Sequence, residues 1–236
     1  MNITVYLGAA FGNDPCLQSE AEKLGAYIGQ AGHTLVYGGS HNGLMGVLAR
    51  SAKNNGARVI GVEPQFFIDA GFVNDDVDEL YVTQTMSERK NKMIELGDAF
   101  IAFPGGTGTL EEISEIMAKC ALRHLSAPCI LFDLNDYYEG LRIQLKKMID
   151  LGLSSKERLK DIHFVKTLDE IIPVVTEKYQ TITYFGIDPE EIRGTVLAGH
   201  LSGIDRITPI GKAMDIGVIW DGYDLIRMLS RIVNVE

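Results

Sequence analysis

The residues best suited to chemistry lie in one run: Pro104-Gly105-Gly106-Thr107-Gly108-Thr109-Leu110-Glu111-Glu112. It follows the apolar stretch Ala99–Phe103 and opens a helical pattern. Glycines leave backbone N–H groups uncovered and allow positive φ. Threonines add hydroxyls, and a helix N-terminus adds positive partial charge, so the combination suits a phosphate. No lysine follows the glycines, which excludes the nucleotide-triphosphate loop of the G-x-x-x-x-G-K type. Thr109-x-x-Glu112 also has the spacing of a capping box. A cap alone leaves the density of glycine and threonine unexplained, and an anion site is the expected reading.

A second run, Met86-Ser87-Glu88-Arg89-Lys90-Asn91-Lys92-Met93, places Met86, Arg89/Lys90 and Met93 on one helical face, which Leu96 continues. A cation within an apolar stripe is costly unless an anion meets it. The alternative is a basic side chain snorkelling at the core's edge. Two further small-residue loops follow apolar runs. One is Gly8-Ala9-Ala10-Phe11-Gly12-Asn13, and the other is Gly38-Gly39-Ser40-His41-Asn42-Gly43-Leu44-Met45-Gly46. Neither has the spacing of a dinucleotide fingerprint. Gly43 and Gly46 have a bland explanation, close approach of a helix to a sheet. Together the loops point to one shared crevice.

The elements that would position these loops alternate. Short apolar runs predict strands at Ile3–Leu7, Thr34–Tyr37, Arg58–Val62, Leu80–Thr83, Ala99–Phe103, Cys129–Phe132 and Ile162–Val165. Helical patterns fall near 17–31, 43–55, 85–97, 109–123, 136–151 and 167–179. The expected fold is a doubly wound α/β sheet, mostly parallel, with helices on both faces. In such sheets ligands sit beyond the carboxyl ends of the strands, where all these loops lie. The rhythm breaks near Gln180. Residues 1–180 are expected to form the main domain and 181–236 a small appendage. In it Asp188-Pro189-Glu190-Glu191 reads as a helix start and Asp221-Gly222 as a turn. Tyr223, Ile226, Leu229 and Ile232/Val233 read as a helical apolar stripe, and Trp220 as a packing anchor.

Composition sets outer limits. The chain has 236 residues, with Lys+Arg 22 against Asp+Glu 32, a formal net charge of −10. An acidic chain of this kind is a poor non-specific nucleic-acid binder. Cys16, Cys120 and Cys129 stand far apart with no C-x-x-C pair, suggesting neither a disulfide framework nor a zinc site. No apolar run approaches the length of a membrane span, and nothing reads as a signal peptide. The expected setting is reducing and cytoplasmic, with no membrane partner.

These stretches resemble the LOG ("Lonely Guy") family of nucleoside 5′-monophosphate phosphoribohydrolases, whose members are often labelled lysine decarboxylases. The match is carried by Pro104 to Glu112, by Met86-Ser87-Glu88-Arg89-Lys90, and by Val36-Tyr37-Gly38-Gly39-Ser40 with Gly43-Leu44-Met45-Gly46. The resemblance covers roughly residues 1–180. It implies a Rossmann-like fold, a homodimer, and hydrolysis of a purine or cytokinin-type nucleoside 5′-monophosphate to free base and ribose 5-phosphate. It implies no metal and no organic cofactor. The catalytic arginine and glutamate fall on Arg89 and Glu112. Substrate contacts fall on Lys90, Gly105, Gly106, Thr107, Gly108, Thr109 and Glu111, with Gly8, Gly39 and Met86 completing the expected set. The chain departs from the family at Ala9-Ala10, where many members carry two serines. It departs again at Ala118-Lys119-Cys120, where a Trp-x-Gln is usual. Residues 203–222 resemble the extreme C-terminus of bioluminescence-type acyl-CoA reductases, from which no activity carries over.

Two rival readings exist. One is a protein of the same fold that holds a nucleotide or a molybdenum cofactor without turning it over. The other is a decarboxylase with pyridoxal phosphate on a lysine, but the glycine loops contain no lysine.

Overall fold

The computed structural model describes residues 1–176 and, beyond them, 181–184, 188, 190, 193, 206–209, 219–220 and 223–224. Two compact units divide the chain, Met1–Ile171 and Ile172–Glu236.

The first unit is built on a seven-stranded sheet in the order β4-β3-β2-β1-β5-β6-β7. Its strands are β1 (Asn2–Tyr6), β2 (Thr34–Tyr37), β3 (Arg58–Pro64), β4 (Glu79–Thr83), β5 (Ala99–Ala102), β6 (Cys129–Phe132) and β7 (Ile162–Val165). Every pairing is parallel, with Ile3 beside Leu35 on one side and beside Ala99 on the other. The connecting helices are α1 (Pro15–Gln30), α2 (Gly43–Asn54), α3 (Gln65–Asp69), α4 (Met86–Leu96), α5 (Thr107–Ala121), α6 (Glu139–Asp150) and α7 (Leu168–Thr176). The alternation expected from the sequence is therefore present, with one helix, α3, beyond it. The α3 segment is a single short turn with no buried residue, too brief to show a 3.6-residue period.

Strand alternation sorts the core into two layers. Tyr6, Val36, Val62, Phe100 and Ala102 pack with Met93 of α4 and with Ile113, Ile116 and Cys120 of α5. Ile3, Val5, Leu35 and Val59, each next to a residue of that layer, are equally buried and take the opposite face. Thr4 is the polar exception on the first face, where its hydroxyl donates to the Met93 carbonyl at 3.1 Å.

Helix starts differ from expectation where local chemistry is strong. Asp14 caps α1 by accepting from Cys16 N at 2.9 Å, and Pro15 takes the first helical position. Thr85 caps α4, accepting from Glu88 N at 3.2 Å.

Described residues of the second unit form two small pairs. Strand β8 (Thr181–Tyr184) runs parallel to β9 (Arg206–Pro209), and β10 (Ile219–Trp220) runs antiparallel to β11 (Tyr223–Asp224). Asp188 accepts from Glu190 N at 2.9 Å, as expected of a helix-starting aspartate. Tyr223 stands in a strand, not at the head of a helical stripe. The Asp-Gly dipeptide between Trp220 and Tyr223 favours a hairpin, and aromatic residues favour its strands. Asp221, Gly222, Ile226, Leu229, Ile232 and Val233 lie outside the described residues, as does the side chain of Trp220.

Candidate active site

The strand order reverses direction between β1 and β5, because β2 to β4 extend to one side and β5 to β7 to the other. Such a switch point leaves a crevice at the carboxyl ends of the two strands. The loops that flank it are Gly8 onward, after β1, and Phe103 to Gly106, after β5. They meet through backbone: a Cβ on Gly105 would lie 3.0 Å from Gly8 N and 2.2 Å from the Thr109 hydroxyl. The loop after β2 joins them, since a Cβ on Gly43 would lie 2.1 Å from the Ala9 carbonyl oxygen. Gly43 also has φ of +51°, so both its conformation and its neighbour exclude a side chain. Its close approach is to this loop and not to the sheet. Gly46 likewise presses on the His41 carbonyl.

The glycine turn runs straight into α5. Gly106 is the N-cap, and its carbonyl accepts from Leu110 N at 3.1 Å. Thr109 is consequently inside the first turn, and the expected capping box between Thr109 and Glu112 does not form. The helix begins two residues earlier, at Thr107, because Gly106 adopts the extended cap conformation without needing a side chain. This frees Glu112 for another partner. The first-turn N–H groups of Thr107 and Gly108 are left without intrahelical acceptors, as an anion site requires.

Glu112 faces Arg89. Arg89 Nη1 donates to Glu112 Oε1 at 2.7 Å, and each side chain is 10% exposed. Arg89 Nε donates to the Val62 carbonyl at 3.1 Å. The cation in the apolar stripe therefore does not snorkel, because a carboxylate and a strand-end carbonyl hold it. Burial pushes the Glu112 carboxyl above the ordinary glutamate range, and Arg89 pulls it back. Beside this pair, Lys90 binds Glu111, and Glu115 Oε2 at 3.1 Å. The Glu111 hydrogen bond raises the Lys90 ammonium, holding it charged. A lysine that forms a Schiff base must instead lose its proton readily. Neither Lys90 nor any glycine-loop residue fits pyridoxal phosphate.

Two clefts border the turn. One, of about 440 Å³, is lined by Gly105, Gly106, Thr107, Leu110, Tyr137 and Tyr138 among others. The other, of about 210 Å³, is lined by Gly8, Ala10, Leu44, Pro104 and Gly105 among others. Tyr137 lines both and donates its hydroxyl to the Gly105 carbonyl. Arg89 and Glu112 line neither cleft; they face each other from α4 and α5. Of the expected contacts, Met86 is 39% exposed and stands apart from the core that holds Met93. Gly39 lies over Glu63, a 2%-exposed carboxylate at the end of β3.

Glu63 and Tyr137 were not among the expected residues. Glu63 has a signal in the sequence, a charge closing an apolar strand at the ligand-binding end of the sheet. Tyr137 has none, because it enters from a short 3-10 turn after β6. Among the described residues, Asp133, Asp136 and Glu139 bring three carboxylates together. Lys166 binds Asp136 at 2.6 Å and Arg142 binds both Asp133 and Glu139, so cations of the chain itself already occupy the cluster.

Comparison with known proteins agrees with the layout. Residues 45–175 match the family model described as "Possible lysine decarboxylase". A cytokinin riboside 5′-monophosphate phosphoribohydrolase of Mycobacterium marinum is 34% identical over 170 residues, covering 72% of this chain and 90% of that protein. The protein of the same name from Rhodococcoides fascians is 41% identical over 141 residues, 59% of this chain and 71% of its own length. Among solved structures, the molybdenum cofactor binding protein of Rippkaea orientalis superposes with a TM-score of 0.53 at 21% identity, over 72% of this chain and 91% of that one. That likeness concerns the fold alone. The matched span contains α4, the glycine turn and the Arg89–Glu112 pair, and on this ground the chain belongs to the LOG family.

Proposed function

We infer that the protein is a nucleoside 5′-monophosphate phosphoribohydrolase, cleaving the N-glycosidic bond of a purine or cytokinin-type nucleotide to free base and ribose 5-phosphate. The observation that carries this reading is the buried Arg89–Glu112 pair, its glutamate on the helix that the glycine turn opens beside the switch point of the sheet. The names of the relatives agree with it.

Cleavage builds positive charge on the sugar ring, and a carboxylate beside the ring stabilises it. Glu112 supplies the carboxylate. Arg89 opposes the upward push of burial on it and fixes its direction. The N–H groups of the glycine turn and the Thr107 and Thr109 hydroxyls take the 5′-phosphate, with Lys90 adding charge nearby. Gly8 and Gly39 bring backbone close to the substrate, and Glu111 orients Lys90. Met86, exposed at the start of α4, offers apolar contact to the base.

In the same reading the chain works as a homodimer in the cytoplasm, residues 1–180 hold the chemistry, and residues 181–236 are an appendage. No helix among the described residues is long and apolar enough to cross a membrane.

Incubation with a panel of nucleoside 5′-monophosphates, following free base by chromatography, tests the activity. Release of base from at least one member is expected. Tight binding of every member without release would favour a carrier instead.

A further inference from the structure

Glu63 is a buried acid beside Arg89 that the chemistry above leaves unused. It is the last residue but one of β3 and is 2% exposed, and its Oε2 has no hydrogen-bond partner. The preceding residue, Val62, turns its side chain into the core and its carbonyl to Arg89. Two consecutive glycines cover the place where these charges meet. A Cβ on Gly38 would lie 2.2 Å from Arg89 Nη2, and a Cβ on Gly39 would lie 2.7 Å from Glu63 Oε2.

The surroundings of Glu63 contain few charges. Arg89 of α4 acts on it directly and favours its ionised form, while burial opposes that form more strongly and pushes the carboxyl up to about 7. Tyr37 of β2 is a further neighbour; it accepts from Asn74 Nδ2 at 2.9 Å and feels Arg50 of α2 and Asp76. Across the sheet β4 sets the apolar Val82 opposite it. Behind Arg89 stands Glu112. One guanidinium therefore serves two carboxylates, and only Glu112 receives its hydrogen bond.

We propose that Glu63 is a positioning residue of the site: it shares the Arg89 guanidinium with Glu112 and takes up a proton when an anion binds at the glycine turn. With both carboxylates ionised the buried group carries a net negative charge. A phosphate monoester brings about two more negative charges. Protonation of Glu63 is the easiest relief, because that carboxylate has no donor to lose. The proton comes from solvent, no bond to carbon changes, and Glu112 remains the ionised partner of Arg89. Arg89 is the group the two acids have in common: it lowers both carboxyls, while burial raises both. Proton uptake makes binding stronger at low pH and weaker as pH rises through the Glu63 range.

The proposal leans on the hydrolase reading only for the nucleotide, so the first arm avoids nucleotides. Infrared titration of the whole protein is expected to show a buried carboxylic C=O band fading near neutral pH, absent from E63Q and E63M. Sulfate, whose charge is fixed in this range, is then titrated calorimetrically in buffers of different ionisation enthalpy. Wild type is expected to take up protons on binding, and the variants fewer. In the second arm, KM for AMP is expected to rise about tenfold from about pH 6 to about pH 8 in wild type and no more than about twofold in E63Q. The second ionisation of AMP affects both proteins alike and cancels. Equal proton uptake in wild type and E63Q, a band that does not titrate, or no anion binding at all would overturn the proposal. Sulfate linkage without release of base from any nucleoside 5′-monophosphate of the panel would leave it standing and reject the hydrolase reading.

Discussion

Arg89 on α4 reaches Glu112 on α5 across 2.7 Å, and neither side chain is more than 10% exposed. Two helices that cover the same face of the sheet are thus joined by a buried ion pair, beside the more exposed bonds of Lys90 to Glu111 and Glu115. Removing one member of a buried pair strands the other, at a cost of about 3–5 kcal/mol. Tests of this pair must therefore read turnover and stability separately.

Glu112→Gln keeps an acceptor for Arg89 Nη1 and loses the charge. Destabilisation by at most about 3 kcal/mol is expected, since the hydrogen bond survives. A fall in kcat of about 10²- to 10³-fold is expected for loss of a charge that acts on the transition state. Kinetics below the unfolding range, beside thermal denaturation, separate the two. Normal kcat with a lowered Tm would reduce Glu112 to a strut between helices.

The 5′-phosphate should dominate recognition, because its binding energy acts away from the bond that breaks. AMP is expected to be cleaved with kcat/KM at least about 10³-fold above adenosine, about 4 kcal/mol. Equal cleavage of the two would mean that the glycine turn does not hold phosphate.

Glu63 makes stability depend on pH with a definite sign. Its folded pKa, about 7, lies above the ordinary value of 4.5, so the folded state holds its proton more tightly. The stabilisation is complete below about pH 4.5 and is lost as pH rises through about 7. Glu63→Gln should therefore be more stable than wild type at about pH 8, by up to about 3 kcal/mol, and nearly equal to it at about pH 4.5. Urea unfolding at the two pH values checks this. A variant less stable at the higher pH would show that the ionised Glu63 is well solvated or paired.

Gly43→Ala separates backbone strain from loop contact. Gly43 and Gly56 both have positive φ, +51° and +95°, but only Gly43 has a neighbour that a Cβ would strike. Each alanine should cost about 1 kcal/mol or more through its backbone conformation. Only Gly43→Ala should also raise KM, by about tenfold or more, by moving the loop after β1 away from the glycine turn. A raised KM in Gly56→Ala as well would point to general loosening.

A chain ending at Gln180 keeps α7 whole and removes most of the second unit. Its rate per folded site is expected to be within about twofold of full length, since the glycine turn and the Arg89–Glu112 pair lie in the first unit. Light scattering and kinetics on the two lengths decide this. A soluble, correctly sized but inactive truncation would give the tail a part in the site.

The sheet was legible because burial on both faces writes strands as short apolar runs, and the helices between them show their own period. Ala99 to Phe103 and Cys129 to Phe132 are instances in which run and strand nearly coincide. Chemistry was legible where residue types are unusual for their place, as with glycines before Thr107 or Arg89 in an apolar stripe. The cap was misread because Thr109 and Glu112 have the right spacing for one, while a glycine can begin a helix unaided. Pairing of Arg89 with Glu112 was not readable at all, since they are far apart in sequence and meet only through tertiary packing. Tyr137 escaped for the same reason.

At the crevice Gly8, Ala9, Gly43 and Gly105 abut through main-chain atoms, so its floor has almost no side chains for mutation to vary. The exposed residues around it are different. Leu110 and Tyr137 line the larger cleft and Phe11 stands in the loop after β1, and each is about half exposed. Substitution is thus far better tolerated at the rim than on the floor of the crevice. A side chain added to the floor must displace main chain, whereas one exchanged at the rim meets mostly solvent.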